Sequence, residues 1–321
     1  MKMRTQQENE RKRSMYRCVL TYMDYLEKDR FESGKKGTAG LYRATRNQLA
    51  SFCDERKLNL KKVNTLLVHD FIAYLQSQSL SHNSVSNYAS IFRATYNSAI
   101  SEKLVSPKEN PFFKLHLSPV KTYKRSVSID VIKEITRLDL QEKKRLDFAR
   151  DLFLFSFMAC GMAFVDLAHL TYKNIHGNVL VYHRVKTKAE IRVTITPGMR
   201  RLLEKYADEN SNMLFPVLSA EDVSYEKYKV ALRTYNRRLA KIGDMLSVRV
   251  KLTSYVARHS WAMCAKNKSA SAAVIGQALG HTSEKTTNYY LSELDQSTID
   301  RINLKIINFA EKWILNHQYR D

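Results

Sequence analysis

The sequence predicts a mainly α-helical chain of two domains, with one small β-hairpin or sheet in the second. Three observations predict it. Gly and Pro number only 9 and 5 in 321 residues, so turns are few. Apolar residues recur at helical spacing along most of the chain. Only one stretch, Val179–Val185 followed by Ile191–Ile195, is β-branched and apolar-rich on both sides of a short polar joint. The length exceeds what one small core fills and fits two domains.

Met1 to Arg13 is charged and lacks the apolar core of a signal peptide, so residues 1–14 read as a basic tail. From there Met15, Val19, Leu20, Met23 and Leu26 space a helix over 14–30. Gly34, Gly37 and Gly40 predict a loop, and a second helix follows near 41–56. Asn64-Thr65 opens a third, with Leu66, Leu67, Phe71, Ile72 and Leu75 as its apolar stripe. Ser81 or His82 opens a fourth that reaches about Glu102, before Pro107 and Pro111 stop regular structure. These four helices make a small all-helical domain over 15–112. Residues 113–127, polar and basic at Lys121, Lys124 and Arg125, read as a linker. Ser128 or Asp130 caps the first helix of the second domain, 128–321. The uncharged run Leu152–Val165 reads as one buried core helix; its 14 residues fall short of the roughly 20 a membrane span needs. The hairpin turns through Lys186-Thr187-Lys188-Ala189-Glu190 and ends at Pro197. Ile302, Ile306, Ile307, Phe309 and Trp313 stripe a last helix.

Charge narrows the class of partner. Lys plus Arg number 53 against 32 for Asp plus Glu, a net charge of +21. Residues 1–120 hold 20 basic against 11 acidic side chains, and the remainder 33 against 21, so both halves are basic. A basic tail would place the excess in one block. Basic charge on two folded domains suits a long polyanion held on both sides. The four cysteines, Cys18, Cys53, Cys160 and Cys264, form no CxxC pair and read as free thiols of a reducing, cytoplasmic compartment, with no zinc site and no disulfide frame.

The fourth helix carries a second signal. From Phe71 to Ser101 there is no Asp or Glu, and Asn83, Ser86, Asn87, Ser90, Arg93 and Asn97 repeat at helical spacing. Solvated faces mix Glu with Lys, whereas a stripe of small polar and basic side chains suits a helix laid against phosphates. Asn83, Asn87, Arg93 and Asn97 are therefore candidate DNA contacts, joined by Arg43 and Arg46 of the second helix.

The densest pattern lies at 252–291. Leu252-Thr-Ser-Tyr255-Val-Ala-Arg258-His-Ser-Trp-Ala is followed 16 residues later by Leu279-Gly280-His281, and Tyr290 stands nine positions after His281. This resembles the tyrosine recombinase (phage integrase) family, in which an Arg-His-Ser/Thr helix precedes Leu-Gly-His with the nucleophilic tyrosine nine positions on. Lys124-Arg-Ser-Val-Ser-Ile-Asp130 and Phe155-Ser-Phe with Gly161-Met162 resemble integrases and DNA invertases of Bacteroidetes mobile elements. The resemblance spans 15–321 and implies a SAM-like core-binding domain ahead of a catalytic domain.

The chemistry explains the residue types. A phosphodiester is an anion, and attack on it gathers more charge on its non-bridging oxygens, which planar guanidinium donors stabilise. The resemblance assigns that clamp to Arg258, a phosphate hydrogen bond or proton movement to His281, and covalent attack to Tyr290. Tyr289 is the rival nucleophile; the family's apolar residue before the tyrosine favours Tyr290. A hairpin-turn lysine of the family protonates the leaving 5′-oxygen, and Lys186 matches it better than Lys188.

Two departures stand out. The family's first clamp arginine, in Gly-Leu-Arg three residues before an acid, is Ala163 here, with Asp166 in the acid's place. The histidine three before the second arginine is Tyr255, which keeps a hydrogen-bond donor. Residues two apart on a strand share a face, so Arg184 is expected to stand beside Lys186 and replace the lost arginine. The resemblance implies a site-specific recombinase that makes a 3′-phosphotyrosyl intermediate for integration, excision or inversion. It implies no ATP, cofactor or metal, a homotetramer on two double-stranded DNA sites, and room for an accessory DNA-bending protein. Two other readings compete: a degenerate DNA-binding protein, favoured by Ala163, and a type IB topoisomerase-like relaxing enzyme. The retained Arg258, His281, Tyr290 and Lys186 weigh against the first, and the apolar C-terminal segment against the second.

Overall fold

The computed structural model describes residues 16–106, 110–113, 115, 120, 126–219, 221–283 and 287. Tyr289, Tyr290 and the apolar stripe of 302–313 lie outside the described residues. The chain divides into two compact units at 122/123, each with its own apolar core.

The first unit holds α1 (Val19–Glu32), α2 (Lys36–Phe52), α3 (Thr65–Ser77) and α4 (His82–Ser101). Helix α1 begins later than its apolar spacing predicts. Cys18 pairs as a bridge with Asn59, and Val19 N–H and Leu60 N–H donate to Leu58 and Arg17 at 2.8 Å each, so the chain before Val19 is held extended. Helix α2 begins earlier than expected and takes in Gly37 and Gly40, leaving only Gly34 of the three in the loop. Asn64 and Ser81 cap α3 and α4 as the sequence indicates, each accepting a backbone N–H from three residues on. Leu66 is no part of the core stripe: it is 69% exposed, and Val68, Phe71, Ile72 and Leu75 form the buried face. The core closes edge-on, Phe71 against Phe92 at 5.7 Å and Phe92 against Phe112 at 5.1 Å. Phe112 is buried while Phe113 is 85% exposed.

The second unit runs α5 (Ile129–Arg137), α6 (Lys144–Met158), α7 (Phe164–Leu167), β1 (Ile175–His176), β2 (Val179–His183), β3 (Glu190–Thr194), α8 (Pro197–Lys205), α9 (Tyr225–Asp244), α10 (Ser254–Asn267) and α11 (Ala272–Leu279). Ser128, not Asp130, caps α5. The sheet is antiparallel in the order β1-β2-β3. Leu180 faces Val193 and Tyr182 faces Ile191, so one side of the hairpin is buried in the core. Strand β2 is shorter than expected, ending at His183 before the turn, and β3 keeps its expected length but begins one residue earlier, at Glu190.

Helix α6 carries much of the core through Leu152, Phe153 and Phe155. It does not continue through Val165. Cys160 and Gly161 take left-handed backbone conformations, φ +55° and +69°, and break the apolar run into α6 and the short α7. Ser156 Oγ donates to the Met162 carbonyl at 2.6 Å across the break. The reason for the turn is close packing: a Cβ on Gly161 would lie 2.8 Å from the Cα of Arg258 on α10. Among the described residues no helix is long and apolar enough to cross a membrane, and no cluster of three metal-ligating side chains occurs.

Candidate active site

The end of α11 organises the site. A helix leaves its last carbonyls without intrahelical partners, and its C-terminus carries partial negative charge. Gly280 ends α11 with φ +62°, a left-handed cap. His281 N–H then donates back to the Gly276 carbonyl at 2.9 Å, which turns the imidazole out of the helix. The carbonyls of Leu279 and Gly280, left without intrahelical partners, collect donors. Arg258 donates to Leu279 at 2.6 Å and Arg184 to Leu279 at 2.9 Å. Gly280 accepts from Arg184 at 3.2 Å and from Thr187 Oγ1 at 3.0 Å.

Arg258 is 3% exposed and Arg184 7%. Arg258 also donates to the Gly161 carbonyl at 2.9 Å, so the left-handed turn after α6 holds its other nitrogen. Arg184 stands over Asp166, whose buried carboxylate lies 3.4 Å from Nε and accepts Val185 N–H at 2.8 Å. Close approach to Gly280 lets Arg184 in, because a Cβ there would sit 2.5 Å from its Cδ. Burial, and then the charge of Arg184, pulls the Arg258 pKa down to about 10. Two guanidiniums held against one carbonyl form a cationic pocket with donors already aimed.

His281 completes the group. Its Nε2 lies 3.3 Å from Arg258 Nη2, and its Nδ1 lies 2.9 Å from Thr287 Oγ1. A guanidinium only donates, so Nε2 accepts and Nδ1 carries the proton to Thr287. Burial, then Arg258, Arg184 and Lys186, lowers the His281 pKa to about 4, so the ring is neutral near pH 7.

The sequence-predicted catalytic residues do not all come together. Arg258, His281 and Arg184 come together. Lys186 lies exposed in the turn after β2, close enough for its charge to act on His281. The two-residue strand argument for Arg184 fails, since the strand ends at His183 and Lys186 is off it. Arg184 reaches the pocket instead from the first turn position, buried where Lys186 is exposed. Tyr255 is half exposed, with its ring edge-on to His259 at 4.5 Å. Tyr290 lies outside the described residues.

The acid-free stripe of α4 has a second occupation. Asn83 exchanges two hydrogen bonds with the Val120 backbone, at 2.9 and 2.8 Å. Arg93 donates to the Leu115 carbonyl at 2.7 Å, and Asn97 Oδ1 accepts from Asn110 at 3.1 Å. These side chains hold the segment after the helix, and Ser86 is buried. Asn87 and Ser90 are exposed. Arg43 pairs with Glu27 and Arg46 with Asp24.

Sequence reasoning passed over Asp166 as a support, Gly161 and Gly280 as packing partners, the Leu279 carbonyl and Thr287. The Leu-Gly-His motif already held the signal for Gly280, since glycine after an apolar helix is a C-cap.

Comparison with known proteins identifies the family and the fold. Residues 18–115 match the phage integrase SAM-like domain and residues 130–297 match the phage integrase family. A tyrosine recombinase of Pseudothermotoga lettingae is 25% identical over 296 residues, 90% of this chain and 98% of that protein. Two solved structures share the fold. One is the Tn1549 transposon integrase in complex with transposon right end DNA (TM-score 0.63, 13% identity, 91% of this chain and 99% of that one). The other is a lambda integrase tetramer bound to a Holliday junction (TM-score 0.59, 15% identity, 83% of this chain and 78% of that one).

Proposed function

The chain belongs to the phage integrase family and is a site-specific tyrosine recombinase that cleaves and rejoins DNA, and we infer that Tyr290 is its nucleophile and that Arg258 and Arg184 together clamp the scissile phosphate. The observation that carries the reading is the convergence of both buried guanidiniums and the His281 imidazole at the end of α11. An incoming phosphate takes over the donors now spent on backbone carbonyls.

Tyr290 Oη attacks phosphorus and the bond to O5′ breaks, leaving a 3′-phosphotyrosyl ester and a free 5′-hydroxyl. The developing charge falls on non-bridging oxygens within reach of two preorganised guanidiniums. Once Arg258 turns to the phosphate, neutral His281 has a lone pair on Nε2 to receive the phenolic proton. Lys186 supplies the proton for the leaving O5′. The ester keeps the energy of the broken bond, so a second 5′-hydroxyl reverses the step without ATP, as integration, excision or inversion each require. Arg184 takes the role that Ala163 lacks, supported from behind by Asp166.

The enzyme works on double-stranded DNA as a tetramer across two sites, a reading supported by the likeness to the lambda integrase tetramer bound to a Holliday junction. Basic charge in both halves supplies phosphate contacts on the first unit as well as the second. An accessory DNA-bending protein belongs to the same reading.

The test is covalent capture on a suicide substrate nicked near the cleavage site. Wild-type protein and Tyr289→Phe are trapped on DNA, while Tyr290→Phe binds DNA and is not trapped. Trapping by Tyr290→Phe, with loss in Tyr289→Phe, would overturn the assignment.

A further inference from the structure

Thr287 has no part in the chemistry above, yet its side chain is fully buried against the site, 0% exposed. Its Oγ1 is 2.9 Å from His281 Nδ1. It fills a slot that exists because residue 276 is glycine: a Cβ there would come within 2.7 Å of Thr287 Oγ1. Thr287 stands three residues before Tyr290 in the sequence.

The two nitrogens of a neutral imidazole are not equivalent, and the hydrogen bond made by one decides which carries the proton. At Nε2 the neighbour is Arg258, which only donates. At Nδ1 the neighbour is a hydroxyl, which accepts. Among the described residues, the charged groups that shift His281 are the cations Arg258, Arg184 and Lys186. A hydroxyl at Nδ1 fixes the ring without adding the charge by which a carboxylate would draw it towards the imidazolium form.

We propose that Thr287 is the positioning residue for His281: its hydroxyl holds the imidazole in the Nδ1–H tautomer, presenting the Nε2 lone pair to the reaction centre. Seating Thr287 against Gly276 and setting the histidine for proton transfer are then a single event. The proposal rests on the reading of His281 as the proton acceptor for Tyr290.

Two substitutions and two readouts test it. Thr287→Val keeps the branched shape and removes the hydroxyl, while Thr287→Ser keeps the hydroxyl. Imidazole ¹⁵N NMR of the free protein, with His281→Gln to assign the signals, reports the tautomer without reference to activity. Single-turnover capture on the nicked substrate reports the chemistry. Wild type and Thr287→Ser are expected to show the Nδ1–H signature. Thr287→Val is expected to lose it and to cleave about 10- to 100-fold more slowly, the size of effect seen when the supporting hydrogen bond of a metal-ligating histidine is removed, with DNA binding unchanged. An unchanged tautomer in Thr287→Val, or equal cleavage losses in the Val and Ser variants, would overturn the proposal. Wild-type protein that is never captured would count against the function, and the NMR result would then decide the role of Thr287 alone.

Discussion

Arg184 and Arg258 donate to the same carbonyl oxygen, that of Leu279, at 2.9 and 2.6 Å. Like charges repel, and the two are held against that oxygen because carbonyl dipoles and Asp166 surround them. On the proposed reading, the scissile phosphate is the anion these two cations are held for.

Removing either donor should therefore damage the transition state more than binding. Arg184→Ala is expected to slow cleavage by about 100-fold or more, as for other transition-state donors, while DNA affinity changes little. Ala163 is half-buried at the start of α7, and Ala163→Arg in the Arg184→Ala background should return part of the rate. Single-turnover capture measures both, and wild-type cleavage by Arg184→Ala would sink the assignment.

Gly280 should be as sensitive as a charged residue. Gly280→Ala places a Cβ 2.5 Å from Arg184 Cδ and forces φ +62° on a residue that resists it. A positive φ on a residue with a Cβ costs about 1–3 kcal/mol. The expected outcome is a lower melting temperature together with a cleavage defect resembling that of Arg184→Ala. Gly37→Ala, at a helical position with nothing within 4 Å of the added Cβ, should raise the melting temperature or leave it unchanged.

The pH dependence of stability follows from His281. Its folded pKa, about 4, lies below the unfolded value near 6.5, so between these values the unfolded chain binds more protons and stability rises with pH. The contribution is complete above about pH 6.5 and is lost as pH falls towards 4. Wild-type protein should lose more thermal stability than His281→Gln between pH 7 and pH 5. Equal losses would mean that His281 is not held neutral.

The stripe on α4 separates two roles. Asn83 binds the Val120 backbone, so Asn83→Ala should speed tryptic cleavage after residue 113. Asn87 is exposed on the same helix, and Asn87→Glu should weaken DNA binding, most at low salt where phosphate repulsion is least screened. If Asn87→Glu binds as wild type at low salt, that face of α4 does not meet DNA.

Much of this was readable in the sequence. Ser and Asn caps marked the starts of α3, α4 and α5 because capping acts over three residues. The residues misread are those governed by distant partners. The break at Cys160–Gly161 answers to Arg258, nearly a hundred residues on. The early start of α2 shows that glycine facing open space is compatible with a helix, so Gly37 and Gly40 did not signal a loop. Asn83 and Arg93 are claimed by chain that follows α4, which helical spacing alone does not reveal. Arg184 was placed in the pocket by strand periodicity that stops one residue short of it, and the carbonyls of Leu279 and Gly280 are what draw it in. Thr287 carried no signal without the slot over Gly276.

The two arginines each pack against a glycine, Arg258 on Gly161 and Arg184 on Gly280, and this sets which changes a lineage of such enzymes can tolerate. A guanidinium rides on a long stem, so its charge can be delivered from another part of the chain when one address is lost. Empty space has no such substitute. With Arg184 in the proposed role, drift at Ala163 is survivable, whereas a single methyl group at either glycine would displace the charge that the rest of the pocket is arranged to hold.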